Sequence, residues 1–424
     1  MSFCRYAAGL CCALAASSGF AGGAAVNTPL PDGSTPLAWA VEQQDAALVR
    51  SLLRQGASPN AGTPSLPSAL AIACQWGDSA ILDLLLDAKA KVNVTQAGGI
   101  APLALCAGVA DSHILQRLLA AGAVVEHADE NGQTALMWAA ARGRIDNLQV
   151  LLQHGAQINR ATLKGLTPLM FALKSGNAQT PLALTQAGAD VTAVAADGTT
   201  MVQLAMYQKD YAFAAHLIDA GVDLTAYDRE GYSLLQAAVL AGQPALVQQL
   251  IARGADVNAT TGTPRVQRRY EVNFTSAPYK VIAMTPLLLA AQAGAAGIMQ
   301  QLFAAGARSD WRATDQTNVV LAAAGSGRLA ALQLALQWQP DANVINANGQ
   351  TPLHVLVSVE AGEETAAMLQ LLAERGVQPQ IKTKDGYTAA DLVKEGPAAM
   401  QALFSRAYAC AWAQTPGSGA GCPP

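Results

Sequence analysis

Residues Asn131–Ala156 read NGQTALMWAAARGRIDNLQVLLQHGA, and 33 residues further on the chain reads KGLTPLMFALKSGNAQTPLALTQAGA, Lys164–Ala189. Each stretch begins with a turn, runs through a helix of small residues, and closes on Leu and Gly-Ala. Aligning the whole chain on the Thr-Pro-Leu signal gives unit starts at Thr35, Ser68, Ala101, Thr134, Thr167, Thr200, Ser233, Thr285, Asn318, Thr351 and Thr388. The spacing is 33 six times, then 52, 33, 33 and 37. Chance does not hold one register across six intervals.

Other residues keep the same phase. Gly falls nine residues after the start at Gly77, Gly143, Gly176, Gly242, Gly294 and Gly327. A Leu pair or its equivalent follows, as at Leu85-Leu86, Leu118-Leu119 and Leu151-Leu152, then Gly again at Gly122, Gly155 and Gly188. Asn131-Gly132, Asp197-Gly198, Asn348-Gly349 and Asp385-Gly386 precede starts. Thr caps a helix whose first turn tolerates Pro, because the missing N–H has no partner there anyway. Gly ends each helix. The Leu pair marks the buried stripe of a second, amphipathic helix, and Asn/Asp-Gly makes a tight turn.

A 33-residue unit with Thr351-Pro352-Leu353-His354, Leu-Leu and Gly-Ala resembles the ankyrin repeat. The likeness covers about residues 31 to 405, as eleven units. It implies an all-α ankyrin-repeat solenoid of helix-turn-helix units with short β-turn or hairpin connections. No unit buries its apolar face alone, so stability comes from stacking and the array is elongated. Local departures occur. Asn318 opens a unit without Pro, and Pro340 and Asp341 blur its end. Extra residues lie at Gly362 to Thr365, Pro59, Pro64 and Pro67 crowd the second unit, and the last unit reads as having a truncated second helix.

Composition fits such a core: 51% apolar, 13% charged and only 5% aromatic, with a formal net charge of -4 that gives no basic signature of nucleic-acid binding. Arg5, the apolar run Ala7–Ala16 and the small residues Ala21–Ala25 read as an export signal over residues 1–25, placing the product in the periplasm or outside a bacterial-type cell. No later segment is apolar for long enough to span a bilayer. The layout read from the chain is signal 1–25, repeats 26–259, insertion 260–284, repeats 285–405 and tail 406–424. Cys410 and Cys422 in the tail suit a disulfide in an oxidising compartment. Cys74 and Cys106, inside repeats, read as small core filler.

The insertion adds 19 residues within Thr260–Met284 and carries Arg265, Arg268, Arg269, Tyr270 and Lys280 against Glu271. Two readings stand: a binding finger, since Arg and Tyr concentrate at contact sites, or a tolerated surface loop. No catalytic set or metal-ligand set is legible, and no cofactor is implied. His113, His127, His154 and His216 fall at helix or turn surfaces. Carboxylates such as Asp129, Glu130 and Asp228 sit at turn tips, where acids are usually solvated. The resemblance implies that His354 bonds to backbone between units, and that a protein partner meets the turn tips and the inward face of the first helix. In this register those positions hold Trp76, Arg142, Leu163, Lys174, Tyr207, Tyr227, Arg229 and Tyr232, with Tyr207 to Tyr232 the favoured zone, while Trp138 and Phe171 lie nearer the core. The function expected is a protein-binding scaffold in the cell envelope; alternatives are an immunity or inhibitor protein masking a toxic enzyme, and an enzyme without a recognisable motif.

Overall fold

A computed structural model describes residues 25–62, 66–263 and 282–408. The export signal, the insertion residues Arg265, Arg268, Arg269 and Tyr270, and the Cys410 and Cys422 pair lie outside them. The described residues form 22 α-helices and no strand; the only ladder pairings are isolated bridges, Ala128 with Thr134 and Val194 with Thr200. Two compact units divide the chain, Met1–Phe213 and Ala214–Pro424.

Within each unit the helices come in antiparallel pairs. The first helix is short, from six residues at Pro168–Leu173 to eight at Ala69–Trp76. The second runs from eight residues at Gln179–Gln186 to ten at Leu329–Trp338. Every start read from the sequence is the N-cap of a first helix. At Thr35, Ser68, Thr285 and Asn318 the side chain accepts the N–H three residues on. Asn318 thus caps its helix at 3.0 Å without help from a following Pro. The Gly nine residues after the start takes positive φ, as at Gly77 with φ 74°, and this left-handed residue turns the chain back.

The core of each unit is the seam between successive hairpins. Leu85, Leu118 and Leu151 in the first unit, and Leu250 and Leu302 in the second, are buried; the second residue of the pair varies, buried at Leu86 and Ile218, half-buried at Leu119, Leu152 and Ile251, and exposed at Phe303. Alanines such as Ala73, Ala107 and Ala140 are fully buried, which lets neighbouring first helices approach closely.

Side chains also tie hairpin to hairpin. Asn60 donates to Lys89 O and accepts from Lys91 N–H, and Asn93 does the same with Gly122 O and Val124 N–H. In the second unit Asn258 reaches Gly306 O at 3.2 Å and Arg308 N–H at 2.9 Å. That last pair spans the insertion, so the stack continues across it in unbroken register. The bases of the insertion are tied together: Thr261 Oγ donates to Ile282 O and accepts from Met284 N–H.

Two expectations need correction here. The final hairpin is not truncated: Ala398–Ala407 has ten residues, and Met400 and Phe404 replace the Leu pair in its seam. Cys74 and Cys106 are buried as expected but are not separate fillers; they form a disulfide with Cα atoms 4.5 Å apart. They lie six and five residues after starts that are 33 apart, and stacking brings those offsets together on adjacent first helices.

Candidate functional site: the first-helix ends

In the first unit, the C-terminal ends of successive first helices lie side by side. They present, in chain order, Trp76, Val109, Arg142 and Lys174, all exposed. Trp76 leaves 55% of its surface in solvent, unusual for the largest apolar side chain. The Arg142 and Lys174 side chains make no hydrogen bond or ion pair among the described residues; the one acid at these helix ends, Glu42, closes the helix before that of Trp76, at the far end from the two cations. Behind it, Trp138 and Phe171 are half-buried, so they form its back wall rather than true core. The Trp138 indole N–H is buried without a partner.

Local sequence explains the row's shape. Gly108 leaves space for the Arg142 stem to cross the preceding helix; a methyl group there would come within 3.3 Å of Arg142 Cγ. The helix Pro102–Val109 lacks the usual Gly at its end. Its free carbonyls are taken instead by the next hairpin: Asn147 Nδ2 donates to Ala107 O at 2.9 Å and Ala110 O at 3.0 Å, and Arg144 Nη2 donates to Ala110 O at 2.9 Å. Beneath Trp76 and Val109, the Cys74–Cys106 bridge fixes the spacing of their two helices.

The remaining expected contacts distribute as follows. Leu163, at a turn tip of the first unit, is 81% exposed, and Tyr207 in the same unit is exposed. In the second unit Tyr227 and Arg229 are exposed, but Tyr232 is half-buried; its N–H is held by Asp228 Oδ1 at 2.8 Å in the turn leading to Ser233. Arg265, Arg268, Arg269 and Tyr270 are not among the described residues.

The turn acids Asp129 and Asp228 are not solvated. Both are buried: Asp129 Oδ1 accepts the N–H groups of Asn131 and Gln133, and Asp228 Oδ1 those of Glu230 and Tyr232. Each stands five residues before a start. Asn346 repeats the pattern, accepting from Asn348 and Gln350. Recurrence of Asp, Asn or Thr at that offset is the signal that finds them.

His354 is fully buried. Its Nδ1 accepts the Thr351 N–H at 3.2 Å, so the Nε2–H donates to Tyr387 O of the next hairpin at 3.2 Å. Burial lowers its pKa, partly offset by the Tyr387 carbonyl. His127 Nε2 similarly meets Gly99 O of the previous turn at 2.7 Å. These are joints between hairpins. Among the described residues no cluster of three His, Cys, Asp or Glu is placed to hold a metal, and no helix is long and apolar enough to cross a membrane.

Stacked hairpins with a continuous row of uncommitted side chains on one edge define a repeat scaffold of the protein-binding class. A family model of three consecutive ankyrin repeats matches residues 6–96 and 103–195, and a single ankyrin-repeat model matches 230–262, together just over half of the chain. The chain belongs to the ankyrin repeat family, whose repeats generally mediate protein–protein interaction and typically carry no catalysis.

Proposed function

We propose that this chain is an exported scaffold of the cell envelope, built as eleven repeats after removal of a signal at residues 1–25, that holds a protein partner along its first-helix ends. The observation that carries the reading is the row Trp76, Val109, Arg142, Lys174. An aromatic anchor in line with unpaired cations two and three hairpins on, over a backbone fixed by a disulfide and cross-hairpin caps, is the makeup of a preorganised contact surface. Arg142 and Lys174, on adjacent hairpins and away from Glu42, favour an acidic partner surface at that end of the row. Tyr207 and Leu163 extend this contact zone in the first unit, and Tyr227 and Arg229 offer a further one in the second. Export is supported by the apolar run Ala7–Ala16 behind Arg5, and by a buried disulfide of the kind that persists in oxidising compartments.

The test is site-specific photo-crosslinking in intact cells. A crosslinker at Trp76 or at Lys174 captures one partner, a crosslinker at Gln149 on an exposed second-helix position does not, and Arg142→Glu weakens capture. Equal capture from Gln149, or none from the row, rejects the contact surface; fractionation of the protein with the cytoplasm rejects the envelope assignment.

A further inference from the structure

The second unit holds a cavity of about 460 Å³ where the turns around Tyr232, Met284 and Asp315 meet the first helices of the hairpins that start at Thr285, Asn318 and Thr351. It arises from missing volume. The residue four after each start is Leu289, Ala322 and Val355; in the first unit the same offset carries Leu105, Trp138 and Phe171. Ala322 and, one turn on, Gly325 leave a hollow between larger neighbours. A methyl group at Gly325 would come within 3.1 Å of Val355 Cγ1, so the hollow narrows on that side. Met284, Leu289 and Leu321 supply apolar wall. The size falls within the range of small-ligand pockets.

One wall is charged. Asp315 Oδ1 accepts the Thr317 N–H at 3.0 Å and its Oδ2 accepts the Thr317 hydroxyl at 2.9 Å. Those bonds fix the carboxylate in place, and a carboxylate with four acceptor sites keeps capacity for a further donor. Glu230 lines the cavity too. No Lys, Arg or His is among its described lining residues. A hollow with an apolar side at Met284, Leu289 and Leu321 and a fixed anion at Asp315 matches an alkyl stem ending in a cation.

We propose that this cavity takes one Lys or Arg side chain from an extended segment of the protein partner, its methylenes against Leu289 and Met284 and its charged head at Asp315. The proposal deepens the protein-binding reading, rests on it, and assigns the second unit a specificity that the first-unit row does not have.

The probes are acetylated, amidated pentapeptides Ala-Leu-X-Leu-Ala with X as Arg, Lys, norleucine or Glu, titrated into the full chain labelled at methionine methyl groups. The Met284 methyl is the reporter. The Arg and Lys peptides shift it and bind about tenfold tighter than the norleucine peptide, the size of one charge-assisted hydrogen bond. Asp315→Asn brings them to the norleucine level; the fold accepts Asn there, since Asn131 and Asn348 hold the same place before their starts. Ala322→Leu fills the hollow and abolishes the Met284 shift with every peptide; Leu105 and Leu204 occupy that offset elsewhere. Equal binding of the norleucine and Arg peptides, tighter binding of the Glu peptide, binding that survives Ala322→Leu, or no Met284 shift at millimolar peptide overturns the proposal. Crosslinking from Trp76 reads the scaffold role separately, so the pocket can fail while that role stands.

Discussion

His354 shows how one side chain serves two hairpins. Its ring closes the capping box with Thr351 and donates onward to Tyr387 O. Gln does the same work in another hairpin: Gln236 closes the box at Ser233 and donates to Met284 O at 2.7 Å. Gln203 likewise closes the box at Thr200. The joint therefore needs an acceptor and a donor, not an imidazole. Burial holds the His354 pKa below its ordinary 6.5. With the folded value below the unfolded one, the unfolded chain binds more protons between the two, so stability is complete above about pH 6.5 and is lost as pH falls toward the folded value. His354→Gln is expected to keep stability at pH 8 within about 1 kcal/mol and to flatten that acid-side loss; urea titrations from pH 8 to 5 read both, and an unchanged slope refutes the assignment. Backbone strain offers a second prediction. Gln44, Lys89 and Lys209 take positive φ of 58°, 64° and 59° at offsets where other units have Gly. An L side chain there costs roughly 1–2 kcal/mol, so Lys89→Gly and Lys209→Gly are each expected to raise stability by about 0.5–1 kcal/mol after the added unfolded-state entropy, read as a higher urea midpoint. The sequence marks the Gly positions plainly. It hides the turn acids, because Asp129 and Asp228 look like ordinary surface carboxylates until their bonds to backbone N–H groups are seen.

At the scale of the element, the hairpin was legible because its signals are local: a cap, a small-residue helix, a Gly, a Leu stripe. Contacts between hairpins were less so. The Cys74–Cys106 bridge joins residues 32 apart, and a scan for short cysteine spacings along the chain passes over it. Only superimposing successive repeats shows that the two positions face each other. The same applies to Asn147, whose amide caps the preceding hairpin's first helix in place of a Gly. Closing a loop of 32 residues stabilises by about 3–4 kcal/mol on chain-entropy grounds. The double variant Cys74→Ala, Cys106→Ala is expected to lose much of that, with loss concentrated in the first unit, read by hydrogen exchange of the helices Ala69–Trp76 and Pro102–Val109. If exchange there is unchanged, the bridge is not what holds the pair. Asn147→Ala strands carbonyls of Ala107 and Ala110 and is expected to cost about 1–3 kcal/mol, more than an ordinary exposed-helix substitution, because the residue is 1% exposed. Asn147→Asp, which keeps the volume but removes the donor, is expected to be no better than Ala.

Across the whole molecule, the long-range hydrogen bonds of each unit join one hairpin to the next, and a bond that reaches further in sequence, such as Asn258 to Gly306, does so only by spanning the insertion. The period made this legible, since a unit that cannot close its own core must stack. The division at Phe213–Ala214 was not legible: it falls inside the helix Tyr211–Asp219, and the 33-residue register runs through it without a mark. The chemistry on the exposed edge was legible only in part, because register places a residue on the edge but does not tell whether its charge is already paired, as Arg160 is with Glu126 and Arg142 is not. A stack of neighbours makes a prediction that a single closed core does not. Ending the chain at Gln378 removes the hairpin Ala389–Glu395 and Ala398–Ala407, uncovering Met368, Leu369 and Leu372 and deleting the bond from the Tyr408 hydroxyl to Leu369 O. The cost is one interface, on the order of 3 kcal/mol for three large apolar side chains partly re-exposed. Helical dichroism per remaining residue should hold and the melting temperature should fall, with exchange protection in the first unit unchanged. Collapse of helicity throughout, or loss of protection as far away as Leu85 and Leu118, would mean that the hairpins share one indivisible core and that stability here is not a sum over neighbours.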